Sequence, residues 1–128
     1  MILLLDTHTF LWFWWDDSQL SSSARQAICD PTNQKLISTA SSWEVAIKVS
    51  LRKLDLGVPF RGFIHQHMIR NNFEMLQITD EHLATVAELP FHHRDPFDRM
   101  LVAQSKSEQI PIVSSDMQLD NYGVTRIW

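Results

Sequence analysis

The chain has 128 residues, of which 45% are apolar and 20% charged, and a mass of 14.9 kDa. That is the size of one domain, 1–128, with its own core, and the composition excludes a disordered or collagen-like chain. A single cysteine, Cys29, rules out an internal disulfide and fits a reducing compartment, so a cytoplasmic protein is expected. Met1–Leu5 is a short apolar run broken at once by Asp6 and preceded by no basic residue, so it reads neither as a secretory signal nor as a membrane span. The net charge of −4 speaks on its face against a nucleic-acid partner. Two divalent cations held by carboxylates would cancel it, so where the acids sit matters more than how many there are.

Taken in chain order, Ile2–Leu5 has the continuous apolar character of a strand buried on both faces. Thr7–Trp15 follows as a strongly aromatic helix, closed by the turn Asp16-Asp17-Ser18. Ser21–Cys29 reads as a short serine-capped helix ended by Asp30-Pro31, and Lys35–Ser38 as a second strand. A helix is predicted from Ser41 towards Leu51, then a connection over Leu54–Pro59 and a helix over Phe60–Arg70. Phe73–Ile78 is a third predicted strand, and Thr79 is placed to cap a helix over Asp80–Leu89 that Pro90 ends. Asp95-Pro96 opens the best-signalled helix, with proline at its first position, after the loop Phe91–Arg94. Ile110–Ser114 and Val124–Ile127 complete the strands. Strands alternating with helices imply an α/β fold, a mainly parallel sheet with helices on both faces.

In such a sheet ligands bind beyond the carboxyl ends of the strands. Asp6 follows the first strand directly, and Asp116 follows Ile110–Ser114. Glu44 and Asp98 fall in the first turns of the two helices opened by Ser41 and by Asp95. Each has a plain structural explanation. Ser41-x-x-Glu44 fits a capping box, Asp95 a helix cap, Asp98 an acid favoured by the helix dipole, and Asp6 and Asp116 turn formers. Those explanations leave open why so apolar a strand ends on an acid at the ligand edge. Carboxylates about 5 Å apart repel by roughly 3 kcal/mol at an effective dielectric of about 20, so four gathered together would cost roughly 20 kcal/mol. A small domain has less stability than that, so a convergent cluster must take up protons or bind cations. Oxygen donors alone suit Mg²⁺ or Mn²⁺, ions that pair with phosphate oxygens and assist phosphodiester hydrolysis.

Four blocks of sequence carry a family resemblance. They are Leu3-Leu4-Leu5-Asp6-Thr7-His8, Ser42-Trp43-Glu44-Val45-Ala46-Ile47-Lys48, His93-Arg94-Asp95-Pro96-Phe97-Asp98-Arg99-Met100-Leu101-Val102-Ala103-Gln104, and Ile112-Val113-Ser114-Ser115-Asp116. In order and spacing they resemble the PIN-domain ribonucleases, specifically VapC-type toxins of bacterial toxin–antitoxin pairs. The resemblance implies a PIN-like three-layer sandwich, endonucleolytic cleavage of RNA dependent on Mg²⁺ or Mn²⁺, and metal ligands at Asp6, Glu44, Asp98 and Asp116. It favours Asp98 over Asp95 as ligand, leaving Asp95 as a cap that contributes behind the ligands. Ser114 stands where many members carry threonine and is expected to orient a ligand or a metal-bound water. The resemblance also implies a cognate antitoxin and a homodimer, with the aromatic run around Trp12 and Phe13 either core or an interface.

Glu44, Lys48 and Arg52 share one helical face by spacing, either as a surface ion-pair ladder or, for Lys48 and Arg52, as guides for RNA phosphate. Arg94 and Arg99 flank the Asp95–Asp98 turn and have a similar positional claim. The six histidines form no zinc pattern, and none is assigned a catalytic role. Two other readings exist: a receiver-type phospho-acceptor domain, which the lack of an acidic pair just after the first strand disfavours, and a PIN-like binding domain without activity.

Overall fold

The side chains of Ile2–Leu5 decide the architecture. In an extended strand successive side chains point to opposite faces, and in this one Leu3, Leu4 and Leu5 are all fully buried. Both faces of the strand must therefore be covered. The computed structural model, which describes all residues Met1–Trp128, shows how. Five parallel strands, β1 (Ile2–Leu5), β2 (Gln34–Ser38), β3 (Phe73–Leu76), β4 (Ile112–Val113) and β5 (Arg126–Ile127), run in the order β3-β2-β1-β4-β5. β1 lies at the centre, with Leu5 opposite Ile37 of β2 and Val113 of β4.

Leu3 and Leu5 pack with residues of α1 (Thr7–Trp14), α2 (Ser22–Cys29), α3 (Thr39–Ser50) and α4 (Phe60–Asn71), including Phe10, Ile28, Val45 and Phe63. Leu4 instead packs with Leu101, Val102 and Ala103 of α6 (Pro96–Glu108), and Val86 of α5 (Asp80–Glu88) joins that second cluster. The result is the α/β sandwich expected from the alternation of elements, a parallel sheet between two helical layers. No helix is long and apolar enough to cross a membrane.

Three local differences from the sequence reading have simple causes. The strand expected over Ile110–Ser114 pairs only at Ile112–Val113, because Pro111 has no N–H to give and contributes only its carbonyl, to Leu4 N (3.0 Å). α3 begins at Thr39, not Ser41: Ser38, the last residue of β2, turns directly into the helix with its hydroxyl accepting from Ala40 N (3.0 Å). The same helix ends at Ser50, and Arg52 adopts a positive φ of 57° beyond it, so Arg52 does not continue the Glu44–Lys48 face.

The aromatic run is mostly internal. Trp14 sits edge-on to Phe63 and against His67, Phe13 meets Phe73, and Trp12 leans on Trp128 and His8. Trp15 alone of this run is exposed, at 42%. His67 is fully buried among these rings and hydrogen-bonds through Nε2 to the Phe10 carbonyl (3.1 Å). Burial pushes its pKa down to about 4, so it is a neutral part of the core.

Candidate metal centre

The chain leaves the three central strands at one edge of the sheet, and each exit carries a polar device. At the end of β1, Asp6 caps α1, accepting from Thr9 N (2.8 Å), while its own N–H donates to Val113 O (3.1 Å). It is 5% exposed, and burial pushes its carboxyl above the ordinary range, against the opposing pull of Ser114 and Thr9. Ser114, fully buried at the end of β4, accepts from Asp116 N (3.0 Å), which leaves its hydroxyl hydrogen for Asp6. Asp116 caps the following 3₁₀ helix, Met117–Tyr122, through Oδ1 and Gln118 N (2.9 Å).

Past β2, the capping-box reading of Ser41 and Glu44 fails, because the early start of α3 moves Glu44 into the second helical turn. There it is only 7% exposed and faces the next strand exit: Thr7 Oγ1 donates to Glu44 Oε1 (2.7 Å) and lies 3.0 Å from Ser41 Oγ. Lys48 Nζ pairs with Glu44 Oε2 at 3.0 Å. Asp98 enters from α6, where Asp95 caps the helix by accepting from Phe97 N (2.8 Å) and Asp98 N (3.2 Å).

Electrostatics shows these groups sharing one region. The Asp98 carboxyl is raised to about 7, first by burial and then by the charges of Asp95, Asp6 and Glu44, with His93 pulling the other way. Asp98 therefore feels the charges of both Asp6 and Glu44 across the sheet edge. Asp116 joins them through His93, whose Nε2 lies 2.8 Å from Asp116 Oδ2 and 3.3 Å from Asp98 Oδ2. Of the four acids only Glu44 has a lysine or arginine in an ion pair. A set of two buried and two partly exposed carboxylates, under-neutralised and with no thiolate, fits a divalent cation of the Mg²⁺ or Mn²⁺ type.

Two assignments made from the sequence change. Arg99 does not face phosphate. It is 7% exposed, its guanidinium donates to the carbonyls of Pro90 (2.8 Å), Leu89 (3.3 Å) and Val86 (3.4 Å), and the Phe91 ring covers it. An arginine so occupied ties the end of α5 to the start of α6. The histidines, conversely, carry no role in the sequence pattern, yet His93 stands between two of the acids, with one side-chain nitrogen or oxygen each of His93, Asp98 and Asp116 all within 4.8 Å of one another. Its sequence signal is weak: five residues before Asp98, it shares no helical face with that residue, and only the fold brings Asp116 to it.

Residues 3–124 match the family model of the PIN domain. The chain belongs to the PIN-domain family. Among proteins of known role it is similar to ribonuclease VapC22 of Mycobacterium tuberculosis, 26% identical over 121 residues that cover 94% of this chain and 91% of that protein. Among solved structures it is similar to VapBC2 from Rickettsia felis bound to a fragment of promoter DNA, with a TM-score of 0.75 at 14% identity, covering 98% of this chain and 97% of that one. VapBC-1 from nontypeable Haemophilus influenzae gives 0.67 at 12% identity, covering 98% and 96%. VapC20 of Mycobacterium tuberculosis, a toxin that cleaves the sarcin–ricin loop, gives 0.65 at 15% identity, covering 96% of each chain. At these identities the structural likenesses establish the fold.

Proposed function

We propose that this chain is a metal-dependent endoribonuclease and the toxin of a toxin–antitoxin pair. The observation that supports the reading is the placement of Asp6, Glu44, Asp98 and Asp116 where the chain leaves the central strands and enters α3 and α6, with His93 linking Asp98 to Asp116. The similarity to ribonuclease VapC22 and to VapBC structures supports the substrate class and the partner.

Asp6 and Asp98 would be the firmest ligands of Mg²⁺ or Mn²⁺, with Glu44 and Asp116 completing the site. When bound, the cation supplies an activated water and stabilises charge on the leaving oxygen. The chain's own groups set the geometry: Thr7 and Lys48 fix the two oxygens of Glu44, Ser114 turns towards Asp6, and Asp95 holds the first turn of α6 in place. In the reaction water adds at phosphorus, the bond from phosphorus to one ribose oxygen breaks, and that oxygen leaves as a hydroxyl with the proton the water gives up. No serine or cysteine nucleophile is required. Lys48, half-exposed beside Glu44, is placed to meet an incoming phosphate.

The antitoxin would inhibit by covering or filling the acidic edge, for which a basic segment has the complementary charge. Functioning as a homodimer and in the cytoplasm belongs to the same proposal. The test is incubation of the purified chain with total RNA in Mg²⁺, in Mn²⁺ and in EDTA. Cleavage in either metal that EDTA abolishes supports the reading. Cleavage undiminished by EDTA, or its absence in both metals, would refute it.

A further inference from the structure

His93 makes more contacts than a residue of a passing loop needs. Its backbone N–H donates to Tyr122 Oη (2.8 Å), as does that of His92 (3.1 Å). Its ring Nδ1 accepts from Asp95 N (3.3 Å). Its Nε2 reaches Asp116 Oδ2 and Asp98 Oδ2. Asp116 and Tyr122 are the two ends of the 3₁₀ helix Met117–Tyr122, so residues 92–93 hold that helix at both ends. The loop is itself fixed, because Arg99 grips the carbonyls just before it.

The tautomer follows from these bonds. With Nδ1 accepting a backbone N–H, the ring hydrogen of neutral His93 sits on Nε2. Nε2 is then a donor to carboxylate rather than a lone pair for a cation, so the close grouping of His93, Asp98 and Asp116 is not a three-ligand metal site of its own. We infer that His93 is a positioning residue: its Nε2–H draws Asp116, the acid at the start of the 3₁₀ turn, against Asp98 and so adds it to the cation site proposed at Asp6, Glu44 and Asp98.

Without that hydrogen bond the side chain of Asp116 is fixed on Oδ1 alone, by Gln118 N, and its second oxygen is free to turn to solvent. Groups that orient metal ligands through hydrogen bonds typically change metal affinity or activity by about 10–100-fold when removed. The inference rests on the acidic edge being a cation site, the basis of the proposed activity, but not on RNA being the substrate.

The experiment is a Mn²⁺ titration followed by thermal melting, on wild type, His93→Ala, His93→Gln and Tyr122→Phe, with RNA cleavage measured on the same samples. His93→Ala is expected to melt in EDTA close to wild type yet to need about 10–100-fold more Mn²⁺ for half its stabilisation. His93→Gln, whose amide can donate, should recover part of the loss. Tyr122→Phe, which loosens the loop without touching the acids, should shift the titration in the same direction by less. In cleavage, the half-activating metal concentration should rise while KM for RNA at saturating metal stays unchanged.

A folded His93→Ala with a wild-type titration overturns the inference. So does a His93→Gln no better than alanine. Wild type that binds Mn²⁺ without cutting RNA would defeat the nuclease reading while leaving the His93 comparison intact, and wild type blind to Mn²⁺ would defeat both.

Discussion

Asp98→Asn should make the metal-free protein more stable, not less, and more so at pH 8 than at pH 5. Burial and the charge of Asp95, then those of Asp6 and Glu44, oppose an ionised Asp98, and one like charge about 5 Å away repels by ~3 kcal/mol at an effective dielectric of about 20. The Asp98 side chain is 28% exposed, and solvent screening reduces the repulsion to about 2 kcal/mol. Removing a carboxylate from the first turn of α6 loses ~0.5 kcal/mol of helix-dipole interaction, for a net gain of about 1–2 kcal/mol.

The sign with pH follows from the raised Asp98 carboxyl. Its folded value of about 7 lies above the ordinary 3.8, so the folded state holds the proton more tightly. Stability is then lost as pH rises through that window. At pH 5 that loss is only partly developed, so the advantage of asparagine is smaller there than at pH 8. The assay is the urea midpoint in EDTA at pH 5 and pH 8, for both proteins. An Asp98→Asn protein less stable than wild type at pH 8, or equally advantaged at both pH values, would refute the reasoning. Added Mg²⁺ should reverse the ranking at pH 8 by stabilising wild type alone.

Glu44→Gln keeps shape and loses charge, so circular dichroism should be unchanged while Mn²⁺ affinity falls at least ~10-fold and cleavage falls with it. His67 has the opposite pH sign to Asp98: its folded value of about 4 lies below the ordinary 6.5, so stability is gained as pH rises from 4 to 6.5. His67→Phe should flatten that part of the urea-midpoint profile, worth at most ~3 kcal/mol in wild type. Arg99→Met leaves three carbonyls without their donor and should lower stability by about 2–3 kcal/mol, measured by urea unfolding. Asp95→Ala removes the cap of α6 at a cost of ~1 kcal/mol, read the same way.

Much of the fold is legible in the chain because its signals are local. The apolar run Ile2–Leu5 needs two covered faces, and Asp95-Pro96 marks a helix start that the structure reproduces. The positions of Asp6 and Asp116 at strand ends follow from the same logic. The features that differ from the local signals depend on neighbours distant in sequence. Ser41-x-x-Glu44 has the spacing of a capping box, but β2 runs straight into α3 and Ser38 takes the cap. Arg99 resembles a phosphate contact by position, yet the carbonyls at the end of α5 claim it. His93 was invisible because its partner Asp116 lies on another strand exit, 23 residues away.

The measurement closest to the central claim compares wild type and Asp6→Asn, purified identically, for both Mn²⁺-induced thermal stabilisation and RNA cleavage. Asparagine can still accept from Thr9 N and cap α1, so the variant should fold. The account predicts that stabilisation by Mn²⁺ and cleavage are lost together. A folded Asp6→Asn that cuts RNA at the wild-type rate would contradict it.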